Sequence, residues 1–146
     1  MARAFAVEDG NLNNRPITTS RVVTSSDIDL TFAKKASGDV FKKTDAAAVK
    51  QAVKNLLMTS RHEKPFQPNF GANLNSALFA LDTEYDPEYI SGLIKDAITN
   101  YEPRARVLSL AIKPDSNYNA LDVQITFQVV NTTEIVSLDL TIARLR

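Results

Sequence analysis

The stretch Leu121-Asp-Val-Gln-Ile-Thr-Phe-Gln-Val129 alternates apolar and polar side chains without a break. A period of two places Leu121, Val123, Ile125, Phe127 and Val129 on one face of an extended chain and Asp122, Gln124, Thr126 and Gln128 on the other, the mark of a half-buried β-strand. The same period recurs on either side. Upstream, Leu108, Leu110 and Ile112 alternate with Ser109 and Ala111; downstream, Val136, Leu138, Leu140 and Ile142 alternate with Ser137, Asp139 and Thr141. Polar connectors at Asp115-Ser116-Asn117-Tyr118-Asn119 and Asn131-Thr132-Thr133 separate the three runs, so they read as an antiparallel meander with one buried face.

That face needs a cover, and the residues before it supply one. Thr44 and Asp45 can cap a helix with Val49, Ala52, Val53, Leu56 and Leu57 along one stripe. Asp86-Pro87 signals a second helix more clearly, since aspartate accepts from first-turn amides and proline at the first position wastes no donor. Its stripe is Ile90, Leu93, Ile94, Ala97, Ile98 and Tyr101, and Pro103 stops it by disfavouring the α region at Glu102. The expected fold is α+β: a C-terminal three-stranded antiparallel meander packed against two main helices, with an extended N-terminal arm.

Between these elements the sequence is more irregular. Residues 1–26 are largely polar or small and show no sustained period, so they read as an extended or disordered arm, with the domain proper spanning 27–146. Asp27 to Phe32 alternates and sets Ile28, Leu30 and Phe32 on one side, as a short strand or a docking segment; Val40 and Phe41 follow a loop as a small apolar anchor. Arg61 to Pro68 is a loop with two prolines, Phe66 and Phe70 are its expected inward anchors, and Gly71 ends it where positive φ is least costly. A short helix or turn is expected from Leu74 to Phe79.

Composition removes many functions. In 146 residues, 17 Lys plus Arg balance 17 Asp plus Glu, leaving no charge excess to neutralise a phosphate backbone. Cysteine is absent, which excludes disulfides, thiolate metal sites and cysteine nucleophiles. His62 is the lone histidine, and the glycines at 10, 38, 71 and 92 are too dispersed for a phosphate loop. No apolar run approaches the roughly 20 residues that span a bilayer, and the first ten residues carry acids where a signal peptide is apolar, so neither a membrane span nor export by the Sec route is expected.

Paired carboxylates are the remaining route to catalysis. Glu84, Asp86 and Glu88 cluster before a helix, and Glu63 and Glu102 lie near prolines. Capping and dipole complementarity explain Asp86 and Glu88 more simply, and Glu63 and His62 read as solvated loop residues. Tyr101-Glu102-Pro103-Arg104 joins a helix stop to two opposite charges whose direction proline fixes. It reads either as a rigid recognition knob or, more simply, as a helix stop with an internal ion pair.

The ordered set Arg61-His-Glu-Lys-Pro-Phe-Gln-Pro-Asn-Phe-Gly71, Leu74, Leu78-Phe79 and Asn100-Tyr-Glu-Pro-Arg104 resembles the baseplate wedge protein family of contractile phage tails. Asp27-Ile-Asp-Leu30 and the helix through Asn55-Leu-Leu-Met-Thr59 resemble that family's preceding elements. The family, historically called lysozyme-like, includes the tail-sheath initiator of T4-type phages and a baseplate component of type VI secretion systems. His62-Glu63-Lys64 stands where relatives often have Gly-Glu-Arg, whereas the Glu-Pro-Arg motif is intact. The resemblance implies a structural protein of the virion's tail baseplate, assembled in the host cytoplasm and using no cofactor or metal. Its implied partners are other wedge proteins, met at their helical core bundle through Glu102, Pro103 and Arg104, the tail sheath protein, and the nearby tail tube, with no nucleic acid and no membrane. Glu63, Lys64, Phe70 and Gly71 form a loop expected to contact partners, and sheath subunits would add a strand to the sheet. The alternative carried by the old label is a peptidoglycan-cleaving tail lysozyme.

Overall fold

The computed structural model describes residues 25–78, 86–115, 120–130 and 132–143. Most of the expected arm, together with Phe79, Glu84, much of the 115–119 connector and Asn131, lies outside the described residues. The elements run β1 (Ser26–Ile28), β2 (Lys42–Thr44), α1 (Asp45–Met58), α2 (Leu74–Leu78), α3 (Pro87–Tyr101), β3 (Ala105–Asp115), β4 (Ala120–Val129) and β5 (Ile135–Ala143). The last three form an antiparallel sheet in the order β3-β4-β5, as the alternation anticipates, and β1 and β2 pair as a separate antiparallel hairpin.

The inward side of β4 makes the core. Leu121, Val123, Ile125, Phe127 and Val129 are buried together with Val49, Val53, Leu56 and Leu57 of α1 and Ile90, Ile94, Ala97 and Ile98 of α3. Cross-strand partners complete the layer: Ile125 sits between Leu110 and Leu138, and Val123 between Ile112 and Leu140. Covering these side chains is the main reason the helices lie where they do, since apolar burial contributes about 25 cal/mol per Å².

In β3 the register departs from the simple alternation. It shifts between Val107 and Ser109, so Leu108 is the additional residue of a β-bulge. Val107 faces Phe127 and packs on the core, while Leu108 is exposed. The expected inward run of Leu108, Leu110 and Ile112 therefore holds only for its last two members, and Ala105 and Val107 supply the inward positions before the bulge.

Helix ends follow local chemistry. Asp86 caps α3, its Oδ1 accepting from the Glu88 N–H at 2.9 Å, with Pro87 at the first position. Thr44 occupies the cap position of α1 but makes no side-chain cap bond. The Asp45 N–H donates instead to the Ser25 carbonyl at 2.8 Å, so the hairpin itself satisfies that end. The hairpin is fastened to α1 by Gln51, a buried polar residue whose Nε2 donates to the Ile28 carbonyl at 2.8 Å while its Oε1 accepts from Lys43 Nζ at 2.9 Å. Lys43 also pairs with Asp29 at 3.1 Å. Ile28, Leu30 and Phe32 remain exposed on this hairpin, as does Phe41, which lies under the Lys35 ammonium rather than in the core.

Phe127→Ala should destabilise the protein by about 3–5 kcal/mol, whereas Leu108→Ala should cost less than about 1 kcal/mol, measured by urea unfolding; equal costs would refute the bulge register. The Asp29 carboxyl is held below its ordinary value of 3.8 by the Thr31 N–H and by Lys43. Its depressed folded-state value means that its contribution is complete above 3.8 and is lost as pH falls through the lower value. Amide exchange of the hairpin should therefore rise in acid below that range, and Asp29→Asn should abolish this dependence.

Candidate functional site

Pro103 ends α3 and turns the chain directly into β3. The Glu102 N–H still donates to the Ile98 carbonyl at 2.8 Å, and the Glu102 carbonyl accepts from the Ala105 N–H at 3.0 Å, closing a turn with Pro103 near its apex. The Arg104 carbonyl accepts from the Val130 N–H at 2.9 Å, which ties the turn to the end of β4. Backbone bonds thus hold Glu102, Pro103 and Arg104 from both the helix and the sheet.

Their side chains form a two-point ion pair. Arg104 Nε donates to Glu102 Oε1 and its Nη2 to Oε2 at 2.8 Å. The Glu102 side chain is only 9% exposed and that of Arg104 41%, so a sunken carboxylate anchors a guanidinium that still reaches solvent. Hydrogen bonding to Glu102 raises the Arg104 pKa further above its ordinary value, against desolvation and with smaller attractions from Glu102 and Asp27. The fork engages two donors and fixes the plane of a guanidinium that keeps further N–H groups for another acceptor. The internal pair and the projecting knob are consequently the same object.

The loop from Ser60 to Gly71 comes to rest against the helix end just before this turn. The Phe70 ring packs edge-on against Tyr101 with centroids 5.1 Å apart, and Lys64 Nζ lies 4.1 Å from the Phe70 centroid. Two groups of residues widely separated in sequence, Lys64 with Phe70 and Glu102 with Arg104, are thereby brought to one end of α3. Glu63 sits within the loop, accepting from the Ser60 N–H at 2.8 Å. Gly71 adopts φ +105°, and a Cβ there would lie 2.3 Å from the Thr59 carbonyl oxygen, so both conformation and space require glycine.

Phe66 does not point inward. It is fully exposed at the loop tip with φ +64°, a sterically costly conformation for an aromatic residue, while Phe70 alone packs toward the core. The reason is the turn Lys64-Pro65-Phe66-Gln67, in which the Gln67 N–H donates to the Lys64 carbonyl and Phe66 takes the position that usually holds glycine.

Three of the carboxylates considered for acid chemistry have other tasks, while Glu84 lies outside the described residues. Asp86 caps a helix, Glu63 braces a loop and Glu102 holds a guanidinium. Among the described residues no group of three or more His, Asp or Glu side chains is arranged to hold a metal ion, and no helix is long and apolar enough to cross a membrane.

A three-stranded sheet covered by helices on one face, its outer edges unpaired among the described residues, with a braced ion-pair turn at one end, is a module of the α+β class. Residues 43–134 match the family model described as baseplate wedge protein gp25, and the chain belongs to that family. The baseplate wedge protein gp25 of Enterobacteria phage T4 is 29% identical over 109 residues, covering 75% of this chain and 83% of that protein. A chain of the anti-feeding prophage baseplate, seen by cryo-electron microscopy, shares the fold with a TM-score of 0.57 at 18% identity, covering 82% of this chain and 86% of that one. A Geobacter sulfurreducens protein described as a tail lysozyme shares it with a TM-score of 0.59 at 22% identity, covering 68% and 90% respectively. The protein is a structural part of a contractile-tail baseplate wedge.

Gly71→Ala should destabilise by more than about 2 kcal/mol because the backbone must move in addition to the strain of positive φ, whereas Gly38→Ala, at φ +88° with only Lys34 Cε at 3.9 Å, should cost about 1 kcal/mol. Thermal unfolding of the two variants checks the contrast.

Proposed function

We propose that this protein docks on the helical core bundle of the wedge through Glu102, Pro103 and Arg104, with the loop carrying Glu63, Lys64, Phe70 and Gly71 beside them, and initiates tail-sheath assembly by accepting strands from sheath subunits. The observation that carries the docking reading is the two-point Glu102–Arg104 pair, in which a shielded carboxylate fixes the direction of a partly exposed guanidinium. A guanidinium already immobilised loses less entropy when it meets a carboxylate or carbonyl on a neighbour. Pro103 and the flanking backbone bonds add the same economy for the main chain.

Sheath initiation rests on the two edges of the three-stranded sheet, which are unpaired among the described residues, since an unpaired edge can template a strand from another chain through main-chain hydrogen bonds. The proposed setting is the virion baseplate near the tail tube, assembled in the host cytoplasm, with the part of the expected 1–26 arm that precedes Ser25 ordering on assembly, since Ser25 and Ser26 already belong to the hairpin region. Neither a cofactor nor catalysis belongs to this reading. The Geobacter neighbour's description keeps peptidoglycan cleavage as the alternative. The occupied carboxylates weigh against it, because a glycosidase needs two acids directed at a sugar-sized cleft.

Arg104→Ala leaves the buried Glu102 without its cation and should cost about 1–3 kcal/mol. The double variant Glu102→Gln/Arg104→Gln removes the buried charge as well and should fold near normally. Both, and Arg104→Lys, should fail to enter wedges in a co-assembly pull-down. Normal incorporation of the folded double variant would contradict the docking role. Purified protein should release no glycan fragments from peptidoglycan, and turnover abolished by changing one carboxylate would establish the hydrolase instead.

A further inference from the structure

The sheet has two edges, β3 and β5, and their backbones are not equally able to receive a strand. In antiparallel pairing, alternate residues direct both N–H and C=O at the same neighbour. The Val130 N–H bonds to the Arg104 carbonyl and the Val129 N–H to the Glu134 carbonyl, so even-numbered residues of β4 face β3 and odd-numbered ones face β5. Carried through the two registers, this turns the main-chain groups of Ile135, Ser137, Asp139 and Thr141 outward on β5, and those of Leu110, Ile112 and Pro114 outward on β3 beyond the bulge.

The β3 edge is therefore interrupted at both ends. Leu108 bulges out of register and Pro114 lacks an N–H at an outward position, two devices that blunt an edge against pairing. No such device occurs in β5, whose register with β4 is regular over its whole length. Among the described residues no hydrogen bond to the outward N–H groups of Ser137, Asp139 or Thr141 is formed outside the sheet.

Beside β5 lies a groove of about 580 Å³ between Leu138–Asp139, the α1 side chains Lys50 and Lys54, and Leu30 of the hairpin. Lys43, which also lines it, is committed to Asp29 and Gln51. Lys50 and Lys54 are exposed and form no ion pair among the described residues, so together they outweigh Asp139 in the remaining charge of the groove. Leu30 adds an exposed apolar contact.

We infer that β5, not β3, is the receiving edge, and that its occupant is an extended segment of a neighbouring chain carrying acidic side chains toward α1 beside at least one apolar residue. This rests on the strand-addition reading and specifies its edge and the chemistry of the incoming strand. The chain's own residues 15–24 are a poor match for the groove, since they contain Arg15 and Arg21 and no acid.

The test uses the full chain and two kinds of probe. A synthetic peptide alternating valine with glutamate should bind and protect the Ser137, Asp139 and Thr141 amides from exchange, while the valine–lysine counterpart should not. Lys50→Glu/Lys54→Glu, two surface changes that leave the melting temperature near its starting value, should weaken binding of the acidic peptide about tenfold. On baseplates this variant should enter wedges yet fail to recruit sheath. Protection at Leu110 and Ile112 instead, equal binding of both peptides, or β5 amides protected in the free chain and released on deleting residues 1–24, would each overturn the inference. Ile112→Pro and Asp139→Pro separate it from its premise, once each variant is shown to be folded: loss of sheath only with Ile112→Pro would overturn the β5 assignment while keeping strand addition, and normal sheath with both would overturn strand addition itself.

Discussion

Val123, Ile125 and Phe127 sit in the middle strand of a three-stranded sheet, fully enclosed between α1 and α3 on one side and paired strands on either flank. Burying this row of side chains is the constraint on which the other elements depend. It sets the distance between the helices and the sheet, and it makes α3 enter β3 through a turn too short to wander. Pro103 and the Glu102–Arg104 pair occupy that turn, so the same packing that stabilises the core also aims a guanidinium at solvent. A docking residue mounted on a flexible loop would have to be ordered by its partner at an entropic cost.

On the proposed reading, function resides in the margins of the protein rather than in a cleft. Among the described residues a covered sheet face leaves the edges as the places where main-chain groups lack partners, and on the inference drawn above β5 retains the capacity to pair where β3 loses it to a bulge and a proline. The hairpin held to α1 by Gln51 adds a wall to the β5 groove. Even charge and absent cysteine suit such a part, because a surface shared among protein neighbours needs local complementarity rather than a strong overall field.

Much of this could be read from the residues. The period of two in β4 and β5, the stripes of α1 and α3, the Asp-Pro cap and the Pro103 stop each follow from one dominant local rule, and family membership agrees with the resemblance carried by the Phe-Gly and Glu-Pro-Arg segments. Failures arose where a local pattern was ambiguous. Leu108 fits the alternation as well as Val107 does, and only the pairing with β4 reveals which one is expelled. Phe66 looks like an anchor by type, but its place in a proline turn faces it outward. Gln51 gave no signal, since a polar residue on the flank of a helical stripe becomes important only when a distant hairpin brings it acceptors and donors. The meeting of Lys64–Phe70 with the end of α3 is likewise a tertiary fact, although each segment stands out in the sequence by itself.

The central claim is that one end of the fold docks by a braced arginine while one particular edge receives a foreign strand. A cryo-electron microscopy map of the assembled baseplate containing this chain tests both halves in a single measurement. The account predicts Arg104 against an acceptor of a neighbouring wedge protein and a fourth strand hydrogen-bonded to Ser137, Asp139 and Thr141. A map with Arg104 in open solvent and the β5 edge bare would contradict it.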